Sequence, residues 1–333
     1  MQLKNTQYYF DKIPFYSLLF LIILFSGCAQ KQLGPAPTVN WDLSSEAEAD
    51  YYYLRYQALL QENKTDEALK ALQKVIAIHP TKGLFLDLAN LQWQNNDLDK
   101  ARASLKQGIE QFPDSSDLTI FLCNTYVAQK RWESAIITLK NYLKKHKENL
   151  SVQKKLASIY LEQQEFARAL DILNQIPDNR QSKQTLFLKS KAYSELGLKN
   201  KAIEHLKKAT EKDPDFLKAW AELAYLYELE KDYVAAADIY SRLLEMGQTS
   251  SEIRIRLIDI HLKLNNPDKA LALVKNNKKN QDFLLRAAGL FLQEHFYSQA
   301  EEIFSFFKTK PESRDKYYFY QAVLAYEGQN SAE

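Results

Sequence analysis

The chain has 333 residues, 46% hydrophobic and 12% aromatic, which supplies material for a sizeable core and excludes wholesale disorder. Its 44 Lys and Arg nearly balance 42 Asp and Glu, and both signs are spread along the chain, so there is no basic stripe of the kind that reads nucleic acid. The two cysteines, Cys28 and Cys123, are too few for a disulfide framework.

The N-terminus carries Lys4 and Lys12 in a short polar head, then an apolar run from Ile13 to Phe25, then Ser26 and Gly27. That order is the order of a secretory signal. The run is short for a bilayer core of about 30 Å. The stretch Leu24-Phe25-Ser26-Gly27-Cys28-Ala29 resembles the lipobox of bacterial lipoproteins, with Phe25 where that family usually has Leu, Val or Ile. The resemblance implies removal of a signal peptide, residues 1–27, and acylation of Cys28. Each buried methylene contributes about 0.8 kcal/mol, so two or more acyl chains hold a protein on a membrane far better than one. Ala29 rather than Asp after the cysteine resembles the pattern released to the periplasmic side of an outer membrane. The alternative is a retained inner-membrane anchor, which by the positive-inside rule still leaves the body of the chain outside the cytoplasm. Gly34, Pro35 and Pro37 lie in an aperiodic stretch, so residues 28–45 are expected to be a lipidated N-terminus and flexible tether.

From residue 46 to 333 the pattern is helical and repetitive. An alanine followed four residues later by a large side chain recurs at Ala68, Ala101, Ala135, Ala169, Ala202, Ala236, Ala270 and Ala300, at intervals of 33, 34, 34, 33, 34, 34 and 30 residues. A second marker keeps the same phase. Twelve residues before the later seven alanines stand Ala89, Cys123, Ala157, Ser190, Ala224, Ile258 and Ala288, and nine before stand Gln92, Tyr126, Tyr160, Tyr193, Tyr227, His261 and Phe291. The small residue lets two helices approach, and the residue one turn later fills the space beside it. Pro80, Pro113 and Pro214 each fall twelve residues after their alanine, and Pro311 eleven after, where a helix must stop. Asn266-Pro267 gives a cap followed by proline at the first helical position.

This conjunction resembles the tetratricopeptide repeat, a helix-turn-helix unit of about 34 residues. The resemblance implies an all-α fold, a right-handed superhelical solenoid of eight repeats plus a terminal helix. It also implies a concave groove lined by the first helix of each repeat, where protein partners lie. The lining expected from the repeat phase is Leu86, Asn90, Ile120, Asn124, Lys154, Ser158, Phe187, Lys191, Tyr225 and Asp259, with Ala221, Ile255, Leu285 and Gly289 at equivalent positions. Asn90 and Asn124 resemble asparagines that hold peptide backbone in some members, since an amide both donates and accepts. The carboxylate-clamp variant needs a lysine and a further asparagine where Leu86 and Phe121 stand, so capture of a C-terminal carboxylate is not expected.

Catalytic chemistry has no sequence signature. The five histidines are at least 34 residues apart, which rules out a zinc pair on one helix turn, and no glycine-rich phosphate loop or nucleophile elbow occurs. Cys123 falls at a small core position and His261 at an aromatic one, so both are expected to pack. Trp41 and the run Tyr51 to Tyr53 are expected under the first helix, and the aromatic helix around Tyr317 to Tyr326 against a protein partner. Neither enzyme, cofactor, metal, nucleic acid nor small-molecule substrate is expected. The expected function is a membrane-anchored scaffold for an envelope complex concerned with pili, secretion, polysaccharide export or outer-membrane assembly. The runner-up is a regulatory subunit of a cell-wall enzyme.

Overall fold

The computed structural model describes residues 44–307 and 314–330, with side chains to residue 327. The signal segment, Cys28, Trp41, nearly all of the tether, Pro311 and Ala332 lie outside the described residues.

All regular structure among the described residues is helical, and the helices follow one another as antiparallel pairs. These are α1 (Ser45–Gln61) with α2 (Thr65–Ile78), α3 (Lys82–Gln94) with α4 (Leu98–Gln111), α5 (Ser116–Ala128) with α6 (Trp132–Lys145), and α7 (Leu150–Glu162) with α8 (Phe166–Asn174). Then come α9 (Lys183–Glu195) with α10 (Lys199–Lys212), α11 (Leu217–Leu229) with α12 (Tyr233–Glu245), α13 (Ser251–Lys263) with α14 (Pro267–Lys275), and α15 (Gln281–Gln293) with α16 (Tyr297–Ser305). The last helix, α17 (Arg314–Asn330), has no second helix after it among the described residues. Each first helix packs on the pair before it, so the apolar faces are buried serially into a solenoid.

All eight marker alanines are fully buried, each at 0% exposure. The turn inside every pair is built one way. The residue five before each alanine, namely Asn63, Asn96, Lys130, Gln164, Gly197, Lys231, Asn265 or His295, has φ between 56° and 73°. The next backbone N–H donates to the carbonyl five residues back, at Leu59, Gln92, Tyr126, Tyr160, Tyr193, Tyr227, His261 or Phe291. This is the Schellman closure of a helix C-terminus. The alanine N–H then bonds the carbonyl four residues back, which starts the second helix. The aromatic position therefore acts twice: its side chain packs, and its carbonyl closes the turn.

First helices start on side-chain caps. Thr81, Ser115, Asn149, Ser182, Ser250 and Asn280 each accept a hydrogen bond from a backbone N–H three residues on. Helix α11 departs from the rule, because Phe216 stands in the cap position.

The core is continuous from Tyr56 to Ile176 and then breaks. At the break a 3-10 turn, Asp178–Arg180, joins α8 to α9, and Gln181, Thr185, Lys189 and Ser190 are buried there. Gln181 Nε2 donates to the Ile176 carbonyl at 3.1 Å and to Asp178 at 2.6 Å. Beyond this polar seam the apolar core continues in separate clusters up to Ile303. Helix α17 docks like the first helix of another unit. Its Tyr320 ring lies over Gly289 of α15, where an added Cβ would stand 2.7 Å from the tyrosine hydroxyl. Tyr317 packs edge-on to Phe304 and Phe307.

Candidate partner-binding groove

Helices α5, α7, α9 and α11 are first helices of consecutive pairs, and together they form a cavity of about 680 Å³. Its lining is Ile120, Ser151, Lys154, Lys155, Ser158, Gln184, Phe187, Leu188, Asp215, Phe216, Leu217 and Lys218. The cavity bridges the polar seam. Its apolar part is organised by an edge-to-face pair, Phe187 and Phe216, with ring centroids 5.4 Å apart. Phe216 reaches this place because it occupies the start of α11, where most first helices have a short polar cap.

Three lysines edge the cavity. Among the described residues none of Lys154, Lys155 and Lys218 forms an ion pair, and one carboxylate, Asp215, faces them. Lys183 is nearby but is held by Asp213 and lies 5.3 Å from the Phe216 ring centroid.

Four of the expected lining residues, Ile120, Lys154, Ser158 and Phe187, thus share one cavity. Asn90 and Lys191 are exposed, while Leu86 and Asn124 are half-buried, and none of these four lines it. Gly289 lies under Tyr320. Ile255 and Leu285 do not line the cavity: they are 7% and 3% exposed and belong to the core, where α13 packs on α15 and α15 on α17.

Tyr225 and Asp259 belong to a different surface. The Arg256 guanidinium lies 5.4 Å from the Tyr225 ring centroid, and Asp259 pairs with Lys263 at 2.7 Å. Around them runs a ladder of charges across α11, α13 and α15. Glu228 accepts from Arg256 Nη1 at 3.1 Å and from the Tyr240 hydroxyl at 3.0 Å. Arg256 also meets Glu252 at 3.4 Å, and Glu252 takes Arg286 at 2.9 Å. The Arg286 guanidinium holds the Glu252 carboxyl below the usual carboxylate range. Burial beside Glu228 pushes the Tyr240 hydroxyl well up.

This ladder was not anticipated from the repeat phase. A signal for it exists in the spacing, because Glu228 precedes Arg256 by 28 residues and Glu252 precedes Arg286 by 34, about one repeat. Burial pushes the Cys123 thiol up to about 11, which keeps it protonated and inert. Among the described residues no group of three or more His, Cys, Asp or Glu is placed to hold a metal ion, and no helix is long and apolar enough to cross a membrane.

A solenoid of helix pairs that presents a continuous row of first helices is an interaction scaffold in its general class. Sequence profiles of the tetratricopeptide repeat match residues 59–118, 92–147, 126–186, 187–251 and 227–276, and the chain belongs to that family. No curated protein matches it. Among solved structures it is similar to the C-terminal part of a tetratricopeptide repeat-containing protein from Cytophaga hutchinsonii, with TM-score 0.55 and 15% identity over 70% of this chain and 98% of that one. It is also similar to PilW, a widely conserved type IV pilus biogenesis factor, with TM-score 0.51 and 15% identity over 61% of this chain and 96% of that one. A tetratricopeptide repeat protein from Parabacteroides merdae matches with TM-score 0.48 and 17% identity over 73% and 98% of the two chains. At these identities the likeness is one of fold.

Proposed function

We propose that this protein is a scaffold of the bacterial cell envelope, tethered by acyl chains on Cys28 to the periplasmic face of an outer membrane, which holds a protein partner along its first helices. The observation that carries the partner-binding part is the cavity across α5, α7, α9 and α11, where apolar rings and lysines without ion pairs face the same space. Pockets of about 300–1,000 Å³ with an apolar lining and a few polar groups are the usual form of a recognition site. The tethering part rests on the sequence from Lys4 to Ala29. Work in envelope assembly is in keeping with the fold shared with a type IV pilus biogenesis factor.

Crosslinked capture from membranes tests the groove. The wild type is expected to retain a defined partner that is lost from a variant carrying Lys154→Ala, Ser158→Ala and Lys218→Ala; identical recovery from both would remove the groove and leave the fold standing. Intact-mass measurement tests the tether, with a mature chain starting at acylated Cys28 expected and a chain retaining residues 1–27 counting against it.

A further inference from the structure

The groove reading leaves the chemistry of the partner open, and the cavity narrows it. Resting on that reading, we propose that the cavity takes an extended peptide segment in which a side-chain carboxylate is close in sequence to a large apolar side chain, an acidic–aromatic motif.

Charge complementarity selects the acid. Lys154 and Lys155 are neighbours on α7, Lys218 faces the same space from α11, and Asp215 is the one carboxylate in the lining. Some lysines elsewhere are met by a carboxylate of another element, as Lys183 is by Asp213 and Lys199 by Glu230. The three cavity lysines have no such partner among the described residues. A basic segment entering here meets like charge, whereas a carboxylate is attracted by all three lysines.

The rings select the second element. Phe187 and Phe216 present an edge-to-face pair to the cavity, and an aromatic or large aliphatic side chain laid on them removes apolar surface from water on both sides. A polyanion without apolar groups, whether polysaccharide or lipid headgroup, would leave that surface wet. A cavity of about 680 Å³ falls within the range that holds a drug-sized ligand, so it reads about two or three residues of a segment rather than a folded domain.

The test is a random-peptide display selection on the full chain in detergent, run in parallel on the wild type and on Lys154→Glu/Lys218→Glu. Lys218→Glu alone, at an exposed position, guards against a folding defect, and circular dichroism melting checks all three proteins. The wild type is expected to enrich peptides that combine acidic and aromatic residues, and the double variant to enrich basic ones instead. Fluorescence anisotropy with the enriched peptide, synthesised with an amidated C-terminus, should show affinity lowered about tenfold or more by the double reversal. Enrichment without charge bias, or affinity untouched by the reversal, overturns this chemistry and leaves the groove reading in place. Loss of binding on amidation overturns the side-chain carboxylate. Equal competition by polyglutamate or dextran sulfate overturns the apolar element. Failure of the wild type to enrich any peptide overturns the groove reading as well.

Discussion

The first helices treat charge in opposite ways at the cavity and in the ladder beyond it. On α11, α13 and α15 opposite charges meet across neighbouring helices, from Glu228 through Arg256 and Glu252 to Arg286. On α7, and at the very start of α11, Lys154, Lys155 and Lys218 face open space with no ion pair among the described residues. A matched surface offers a ligand little, because existing pairs must be broken and desolvated before new ones form. An unmatched one attracts a ligand of opposite sign at no such cost. On the reading proposed above, the same repeat gives cohesion in one region and recognition in the other, with no change of fold.

The sharpest way to break this comparison is to remove Glu228. It satisfies both the Tyr240 hydroxyl, on a residue 2% exposed, and the half-buried Arg256. Glu228→Ala strands the Tyr240 hydroxyl and leaves Arg256 with Glu252 alone, and should cost about 2 kcal/mol in urea unfolding, while leaving ligand binding at the cavity unchanged. Lys154→Ala should do the reverse, moving stability by less than about 0.5 kcal/mol and weakening binding. If the lysine variant proves the less stable of the two, the division between cohesion and recognition is wrong.

The fold was legible because alanine has few uses. A residue that must be small recurs only if a helix approaches it at each turn of the repeat, and all eight such alanines are completely buried. The turns carry the same period but hide it. Asn63, Asn96, Gly197, Asn265 and His295 are of types that tolerate positive φ, whereas Lys130, Gln164 and Lys231 are not, so composition masks a conformation that the alanine phase locates. The groove was harder to read. Counting along a helix finds a face, but whether that face is wet depends on what packs over it. Ile255 and Leu285 are core, while Ile120 and Phe187, at the same phase, line the cavity.

Lys189 sharpens the comparison at the seam itself. It is 5% exposed at a position where most repeats have leucine, with Asp178, His205 and Lys208 around it. Burial lowers its pKa, so the folded state disfavours the charged amine, and the penalty is present at every pH below the folded value. Lys189→Leu is expected to add about 1 kcal/mol at neutral pH. The wild type should close part of that gap as pH rises toward the ordinary lysine value of 10.5. A destabilised leucine variant would mean that attraction to Asp178 outweighs burial.

A smaller effect is read through pH. His205 stacks on Tyr193 with ring centroids 5.2 Å apart, and its Nδ1 is buried without a hydrogen-bond partner among the described residues, as is that of His261. Burial depresses both, helped at His205 by Lys189 and Lys208 against Glu204 and Asp178, and at His261 by Lys269. The unfolded chain therefore binds more protons than the folded one below the ordinary histidine value of 6.5, and stability falls as pH drops through that window. Urea midpoints measured on either side of it should show a slope that His205→Phe and His261→Phe each reduce. Lys189→Leu should reduce it only through His205; an equal influence on His261 would show the two histidines coupled through the core.

The smallest effect serves as the control, because it should not distinguish the two sides. Lys130 in the turn from α5 to α6 and Lys231 in the turn from α11 to α12 hold φ of 57° and 60°. Each closes the same pair of hydrogen bonds, at 2.8 and 2.9 Å around Lys130 and 3.0 and 2.9 Å around Lys231. An L-residue in this region costs about 1–2 kcal/mol, and glycine gives back about 0.5–1 kcal/mol of chain entropy on folding. Lys130→Gly and Lys231→Gly should therefore each gain about 0.5 kcal/mol, and by the same amount. Neither lysine lines the cavity or joins the ladder, so peptide binding should not move. A gain confined to one side would mean that the turns, and not the charges on the first helices, set the two regions apart.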